Sequence, residues 1–182
     1  MRPFTTLTMP LLAFAALLSA CGPLTIRDAS TGDHRPIQRG SFELHTEVSI
    51  PAGRARIFFQ AGNLVRGVNE FRPHCQLEVN SLSDRPQTIH ADVFSVTSLS
   101  TRSDQVVMGM PAQLAALAFF GLWDGGESRR MYVYLFGLHS DRQPDVRALN
   151  CGGAFDSPGL AKRPTLQEIG EALGAYGTLT LH

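Results

Sequence analysis

The chain has 182 residues, with 16 basic and 16 acidic side chains that leave no formal net charge at neutral pH. This balance excludes a strong overall field that would steer the protein to nucleic acid or to anionic lipid, so we predict no nucleic-acid partner. The length and the 43% of hydrophobic residues are sufficient for one domain with its own core.

The first twenty residues have the layout of a secretory signal peptide. Arg2 is the only charged residue before an apolar stretch at residues 7–18, and small residues follow that stretch. The stretch is shorter than the about 20 apolar residues that a membrane-spanning helix needs. We therefore predict a signal peptide at residues 1–20.

This segment ends in Leu18-Ser19-Ala20-Cys21. The four residues resemble the lipobox of bacterial lipoproteins, in which a branched apolar residue and two small residues precede a cysteine. The resemblance implies diacylglycerol on the Cys21 sulfur, cleavage before Cys21 and a further acyl chain on the new amino terminus. Two or three acyl chains anchor a protein stably, since each buried methylene contributes about 0.8 kcal/mol.

The residue after the lipobox bears on the destination of the protein. It is Gly22 rather than Asp, so the resemblance implies no inner-membrane retention signal. We therefore expect a lipid-anchored protein of the outer membrane, on the periplasmic face, with Cys21 as its membrane contact. The alternatives are a plain signal peptide with a chance cysteine and a buried N-terminal helix.

The rest of the chain is predicted to be one domain behind a tether. Removing the signal peptide leaves 162 residues, and residues 22–40 have few large apolar side chains and many turn formers. We therefore predict a lipidated tether at residues 21–40 and a single periplasmic β-rich domain at residues 41–182.

Short apolar stretches separated by turn signals predict about seven strands in this domain. They lie at residues 42–50, 54–60, 74–79, 89–97, 106–110, 131–138 and 146–151. The first two are expected to form a hairpin through the turn at residues 51–53. Short strands with turns between them favour a mainly β fold, either an antiparallel sandwich or a barrel-like sheet.

An uncharged stretch at residues 106–123 interrupts the strand pattern. After Pro111 it is apolar nearly all round, which predicts a short apolar helix at residues 112–122 that plugs one end of the sandwich. A flap over an apolar cavity, or a patch that contacts lipid or a partner, is the alternative.

One short C-terminal helix is well signalled. Thr165 and Glu168 have the spacing of a capping box, and Gly174 is placed to end the helix. Residues 176–182 are predicted to add a final edge strand.

Cys75 and Cys151 are the two cysteines besides Cys21. An exported chain reaches an oxidising compartment, where such a pair most simply forms a disulfide. The bond requires the third predicted strand to approach the end of the seventh, which favours a closed, long-range topology. A reactive thiol or a metal ligand is the alternative.

Arg54, Arg56 and Gln60 fall on one face of the second predicted strand. One interpretation is that an arginine pairs with Glu47 across the predicted hairpin, an interaction worth about 0.2–1 kcal/mol. The other is that the three side chains bind an acidic envelope protein or the phosphate of a glycan.

The sequence contains no common signature of catalysis or cofactor binding. It has no Gly-x-Ser-x-Gly elbow, Ser-x-x-Lys, phosphate loop or dinucleotide fingerprint. His74, His90 and Asp92 could converge in the sheet, but no ligand spacing supports a metal site. We therefore expect a non-enzymatic binding or structural role in the envelope, with no cofactor. A lipid-anchored envelope hydrolase and a carrier or sensor of an apolar ligand are the alternatives.

Overall fold

An eight-stranded antiparallel sheet, curled into half a barrel, organises the domain. The computed structural model describes residues 25–27, 34–36, 39–107 and 128–182. The prediction of a mainly β, antiparallel fold with one short C-terminal helix is confirmed. Of the two predicted architectures, the barrel-like one is found.

The described residues form twelve strands and one α-helix. The strands are β1 (Thr25–Arg27), β2 (His34–Pro36), β3 (Gly40–Leu44), β4 (Val48–Ile50), β5 (Arg56–Gln60), β6 (Asn63–Val65), β7 (His74–Val79), β8 (Gln87–Ile89), β9 (Asp92–Val107), β10 (Ser128–His139), β11 (Val146–Gly152) and β12 (Gly177–Leu181). The helix is α1 (Leu166–Leu173), followed by a 3-10 turn at Gly174–Tyr176. The main sheet has the order β12-β3-β9-β10-β11-β7-β5-β6, while β1 pairs with β2 and β4 with β8.

Three predicted strands match observed ones closely, since residues 74–79, 131–138 and 146–151 fall in β7, β10 and β11. The fourth prediction begins at the last residue of β8 and covers the start of β9, a strand of 16 residues that ends at Val107. Residues 108–110 of the fifth, and the predicted apolar helix at residues 112–122, lie outside the described residues.

The predicted hairpin of residues 42–50 and 54–60 is wrong. The chain bends at Thr46, which sits at an inward position of the alternating pattern but is exposed. Two strands result: β3 pairs with β9 and β12, whereas β4 pairs with β8. The next strand, β5, pairs with β6 and β7.

Strands are also present within the segment predicted as a tether. Residues 25–27 and 34–36 pair antiparallel as β1 and β2. Ile26 is buried and belongs to the main apolar core. Contacts with the domain therefore begin upstream of residue 41.

The core lies between one face of the sheet, α1 and the β4–β8 pair. Phe42 stacks on Phe94 at a ring distance of 6.1 Å, and Phe59 meets Tyr176 at 5.8 Å. The helix packs against β12 at one end of the sheet order and against β5 and β7 near the other end. Burial of this apolar surface is the main stabilising contribution to the fold.

The predicted capping box and disulfide are both present. Thr165 Oγ1 accepts from the Glu168 amide, and the Glu168 carboxylate accepts from the Thr165 amide at 2.7 Å. Cys75 and Cys151 are bonded directly across the β7–β11 pair, with Cα atoms 4.1 Å apart. The two predicted strands are thus neighbours in the sheet.

Candidate functional site

A groove of about 640 Å³ opens where β5 begins and β6 ends. Its wall combines three arginines with apolar side chains and the turn after β4. The lining residues are Ser49, Pro51, Ala52, Arg54, Arg56, Ile57, Phe58, Leu64, Val65 and Arg66. We call this feature the arginine groove.

Two of the three arginines have no carboxylate partner within the described parts of the chain. Arg54 lies in the turn before β5 and Arg66 directly follows β6, and both are exposed. Their guanidinium groups can therefore turn toward an occupant of the groove without breaking an ion pair among these residues.

Arg56 is held in place by a buried carboxylate. It lies opposite Glu78 in the β5–β7 register, and its Nη1 is 3.7 Å from Glu78 Oε1. Glu78 is only 6% exposed, whereas the Arg56 side chain is half-exposed. The ion pair, which is longer than a hydrogen bond, favours an orientation of Arg56 toward Glu78 and leaves its exposed part open to the groove.

Glu78 has two further partners. Arg147, from the start of β11, contacts its Oε2, and Gln76 Nε2 donates to its Oε1 at 2.9 Å. A buried carboxylate is costly unless it is paired and hydrogen-bonded, and these three neighbours meet that requirement. Two guanidinium groups on one carboxylate leave a net positive charge beside the groove.

The apolar part of the wall comes from both strands of the β5–β6 hairpin. Ile57 is buried, while Phe58, Leu64 and Val65 are half-buried. Phe58 lies opposite Val65 in the register, so the two side chains stand side by side. The hairpin therefore places an apolar surface next to the arginines.

The turn of this hairpin brings Arg66 to the site. Ala61 and Gly62 both have positive φ angles, 50° and 72°, which is the geometry of a two-residue type I′ turn. The Gly62 amide also donates to Ala172 O at 3.1 Å, so α1 holds the turn. Arg66 could not be predicted as part of the site from the sequence, because Ala-Gly is a weaker turn signal than Asn-Gly or Asp-Gly.

The side chain of Gln60 is occupied by hydrogen bonds within the protein. Its Nε2 donates to the carbonyl oxygen of Asn69 at 2.9 Å, and its Oε1 accepts from the Asn69 amide at the same distance. The side chain thus ties down the loop between β6 and β7 and does not line the groove. Arg56 and Gln60 lie on the same face of β5, as predicted, whereas Arg54 precedes the strand.

The alternative pairing of these arginines with Glu47 is also wrong. Glu47 Oε2 lies 3.5 Å from His90 Nδ1 instead, because β4 pairs with β8 and not with β5. Arg56 pairs with Glu78 from β7, a partner that appears only when the strand order is known.

A second polar cluster surrounds Asp92, which is 5% exposed. Its carboxylate accepts from Ser140 Oγ at 2.7 Å, from Gln143 Nε2 at 3.1 Å and from its neighbour's amide, and it contacts Arg142. Burial alone would raise the pKa of Asp92, but these hydrogen bonds and the guanidinium lower the pKa below its ordinary value. The cluster fastens the loop after β10 to the start of β9.

The three residues considered as a metal cluster do not converge. His74 is on β7, which is separated from β9 by β10 and β11. His90 faces Glu47, and Asp92 faces the loop after β10. Among residues 25–27, 34–36, 39–107 and 128–182, no group of three His, Cys, Asp or Glu side chains could hold a metal ion.

Comparisons with protein-family models, curated proteins and solved structures find no match for this chain. Within the ranges that the structure describes, no helix is long and apolar enough to cross a membrane. Cys21 lies outside these ranges, so the lipidation expected there stays a prediction from the sequence.

Proposed function

We propose that this chain is an outer-membrane lipoprotein, anchored through Cys21 at the periplasmic face, which binds a negatively charged component of the envelope without chemically altering it. The observation that carries the proposal is the arginine groove. In it, Arg54, Arg56 and Arg66 border an apolar wall, and Glu78 fixes the middle arginine.

Arginine suits such a binding role because its planar guanidinium donates paired hydrogen bonds to carboxylate and phosphate. A binding group that is already oriented loses less conformational entropy when the ligand arrives. The Glu78 ion pair supports this for Arg56, while Arg54 and Arg66 contribute charge from the two flanking turns.

The buried cluster around Asp92 supports a structural role for this carboxylate and not a role in proton transfer. The pKa of a general acid or base is best placed near the working pH. Hydrogen bonds and Arg142 instead lower the pKa of Asp92, so its carboxylate stays ionised at neutral pH. Its side-chain contacts hold the loop after β10 against the start of β9, which is a structural role.

The anchor is tested by metabolic labelling with a clickable fatty acid in the bacterial host. We expect the wild-type chain to be labelled and to sediment with membranes. Cys21→Ser should lose the label and appear in the soluble fraction, while Gly22→Ser, which keeps the cysteine, should behave as wild type. A Cys21→Ser chain that is still labelled would contradict lipidation at this residue.

The binding role is tested with the Cys21→Ser chain, which keeps every described residue, and washed envelope fragments. We expect co-sedimentation that weakens as salt is raised, because exposed charges are screened. Arg54→Glu with Arg66→Glu should abolish it. Arg39→Glu with Arg85→Glu makes the same charge change at exposed arginines outside the groove and should preserve it. Equal loss in both variants, or no binding at all, would contradict the proposal.

A further inference from the structure

We propose that the arginine groove binds a single-chain anionic lipid, with a carboxylate or phosphate headgroup between the arginines and its chain along the apolar wall. This inference rests on the proposed function and narrows the anionic component to one chemical class. It follows from the composition of the groove, its size and the shortness of the strand at its edge.

The headgroup end is defined by charge. Arg54, Arg56 and Arg66 come from three separate places: a turn, the first residue of β5 and the residue after β6. They lie around one opening, so one anionic group can accept hydrogen bonds from more than one of them. Charge-assisted hydrogen bonds of this kind are about twice as strong as neutral ones.

The apolar wall defines the part of the groove that would hold the alkyl chain of the lipid. Phe58 and Val65 are half-buried and stand side by side at the groove, whereas Ile57 and Leu64, which also border it, pack with the core. A purely polar anion such as a sugar phosphate would leave this surface in water. An alkyl chain would cover it, and each buried methylene adds to affinity.

The volume and the strand edge argue against a peptide. About 640 Å³ lies within the range of small-molecule sites, roughly 300–1,000 Å³. A peptide that extended the sheet would need a row of free backbone groups, but β6 has only three residues, Asn63–Val65. The three arginines, moreover, lie where β5 begins and β6 ends, at the open end of the hairpin, and not along a strand.

Glu78 is assigned as a positioning residue, because it holds Arg56 without lining the groove. Removing its charge would free Arg56 to adopt other rotamers and would also leave Arg147 without its partner. Its effect on lipid binding should therefore depend on the presence of Arg56.

The experiment measures binding of decyl phosphate to the Cys21→Ser chain by calorimetry, below the concentration at which micelles form. We expect saturable one-to-one binding. Inorganic phosphate, which lacks the chain, and decyl maltoside, which lacks the charge, should each bind about tenfold more weakly or worse. Decanoate should bind in the same way as decyl phosphate, because both carry a headgroup that matches the guanidinium fork.

Variants locate the site. Arg54→Ala and Arg66→Ala should each weaken decyl phosphate binding about tenfold, and Arg39→Ala should leave it unchanged. Val65→Ser, which changes the groove wall at a residue outside the core, should weaken binding of decyl phosphate but not of inorganic phosphate. Glu78→Gln should weaken binding in the wild-type background and have little further effect when Arg56→Ala is already present.

Several outcomes would overturn the inference. Equal affinity for decyl phosphate and inorganic phosphate would exclude a lipid ligand, and so would tighter arginine-dependent binding of an acidic peptide. Either result would leave the proposed binding of an anionic envelope component intact. If no anionic probe binds and the arginine variants co-sediment with envelope fragments as wild type does, both proposals fail. Loss of decyl phosphate binding in Arg39→Ala would show that the site lies elsewhere.

Discussion

At the scale of single residues, the ion-pair partners of two buried carboxylates, Glu78 and Asp92, could not be predicted from the sequence. Each is paired with an arginine that is distant in the chain: Arg147 contacts Glu78, and Arg142 contacts Asp92. From the sequence, Asp92 was considered only together with His74 and His90, because the loop after β10 could not be placed beside it. Local patterns identify charged residues, but only the strand order identifies their partners.

The Asp92 cluster predicts how stability depends on pH. Because the folded-state pKa of Asp92 is lower than the unfolded value, the unfolded chain takes up a proton first as the pH falls. The stabilising contribution is therefore complete above the unfolded pKa, about 3.9, and is lost as the pH falls through the folded pKa. We expect Asp92→Asn to lower the free energy of unfolding at pH 7 by about 1–3 kcal/mol.

The measurement is urea unfolding of both chains from pH 7 to pH 2.5. The difference between wild type and Asp92→Asn should shrink as the pH falls, because the wild-type carboxylate becomes neutral as well. Asp84→Asn is the control, since Asp84 is exposed and has no hydrogen-bond partner within the described ranges. A difference between wild type and Asp92→Asn that is constant with pH would contradict the role assigned to this charge.

At the scale of elements, helix α1 was predictable from a few neighbouring residues, whereas strand pairing was not. The capping box and the terminal glycine lie within one short segment, so their signal is local. The pairing of β5 with β7 and of β4 with β8 depends on segments far apart in the chain. The arginine groove could not be predicted for the same reason. Arg54 and Arg56 were candidates from the sequence, but Arg66 lies near them only because the chain reverses at the Ala61-Gly62 turn.

At two glycines of the helical segment, substitution by alanine should have opposite effects on the free energy of unfolding. Gly170 lies inside α1 and is exposed, with nothing within 4 Å of an added Cβ. Gly170→Ala should raise the free energy of unfolding by about 0.5–1 kcal/mol, because alanine has the higher helix propensity. Gly174 ends α1 with a φ of 56°, and an added Cβ would lie 2.4 Å from the Gly62 Cα.

Gly174→Ala should therefore lower the free energy of unfolding by about 1–3 kcal/mol, through backbone strain and displacement of the β5–β6 turn. Denaturant unfolding of the two variants tests this, and each serves as the control for the other. Since that turn also brings Arg66 to the groove, Gly174→Ala should weaken decyl phosphate binding, while Gly170→Ala should not. A shift of both stabilities in the same direction would contradict this account of the helix end.

At the scale of the whole molecule, a neutral chain still contains a strongly cationic site. The equal numbers of acidic and basic residues correctly describe the overall charge, but they say nothing of how the fold distributes it. Folding gathers Arg54, Arg56 and Arg66 at one groove and gives only Arg56 a carboxylate neighbour among the described residues. The composition therefore limits the long-range electrostatic attraction of charged partners to the whole molecule. It does not limit the binding of an anion at one groove.

The disulfide is the strongest constraint on the whole fold, because it joins residues 76 positions apart. It crosses between β7 and β11, and both cysteines are fully buried beside Leu77 and Leu149 of the same strands. Closing a loop of this length stabilises by about 4.5 kcal/mol in the chain-entropy model. We expect Cys75→Ala with Cys151→Ala to lower the free energy of unfolding by about 2–5 kcal/mol.

The test uses the Cys21→Ser chain exported to the periplasm, so that the only remaining thiols are those of Cys75 and Cys151. Unfolded without reductant, this protein should show no titratable thiol and should migrate as a monomer. After reduction its stability should fall toward that of the double alanine variant, which separates the effect of the bond from that of the lost sulfur atoms. Because the two strands are already neighbours in the sheet through their backbone hydrogen bonds, the reduced chain should keep its β-sheet circular dichroism in the absence of denaturant. Two thiols in the unfolded, unreduced protein would show that the bond does not form, and the stability assigned to it would then have to come from the sheet alone.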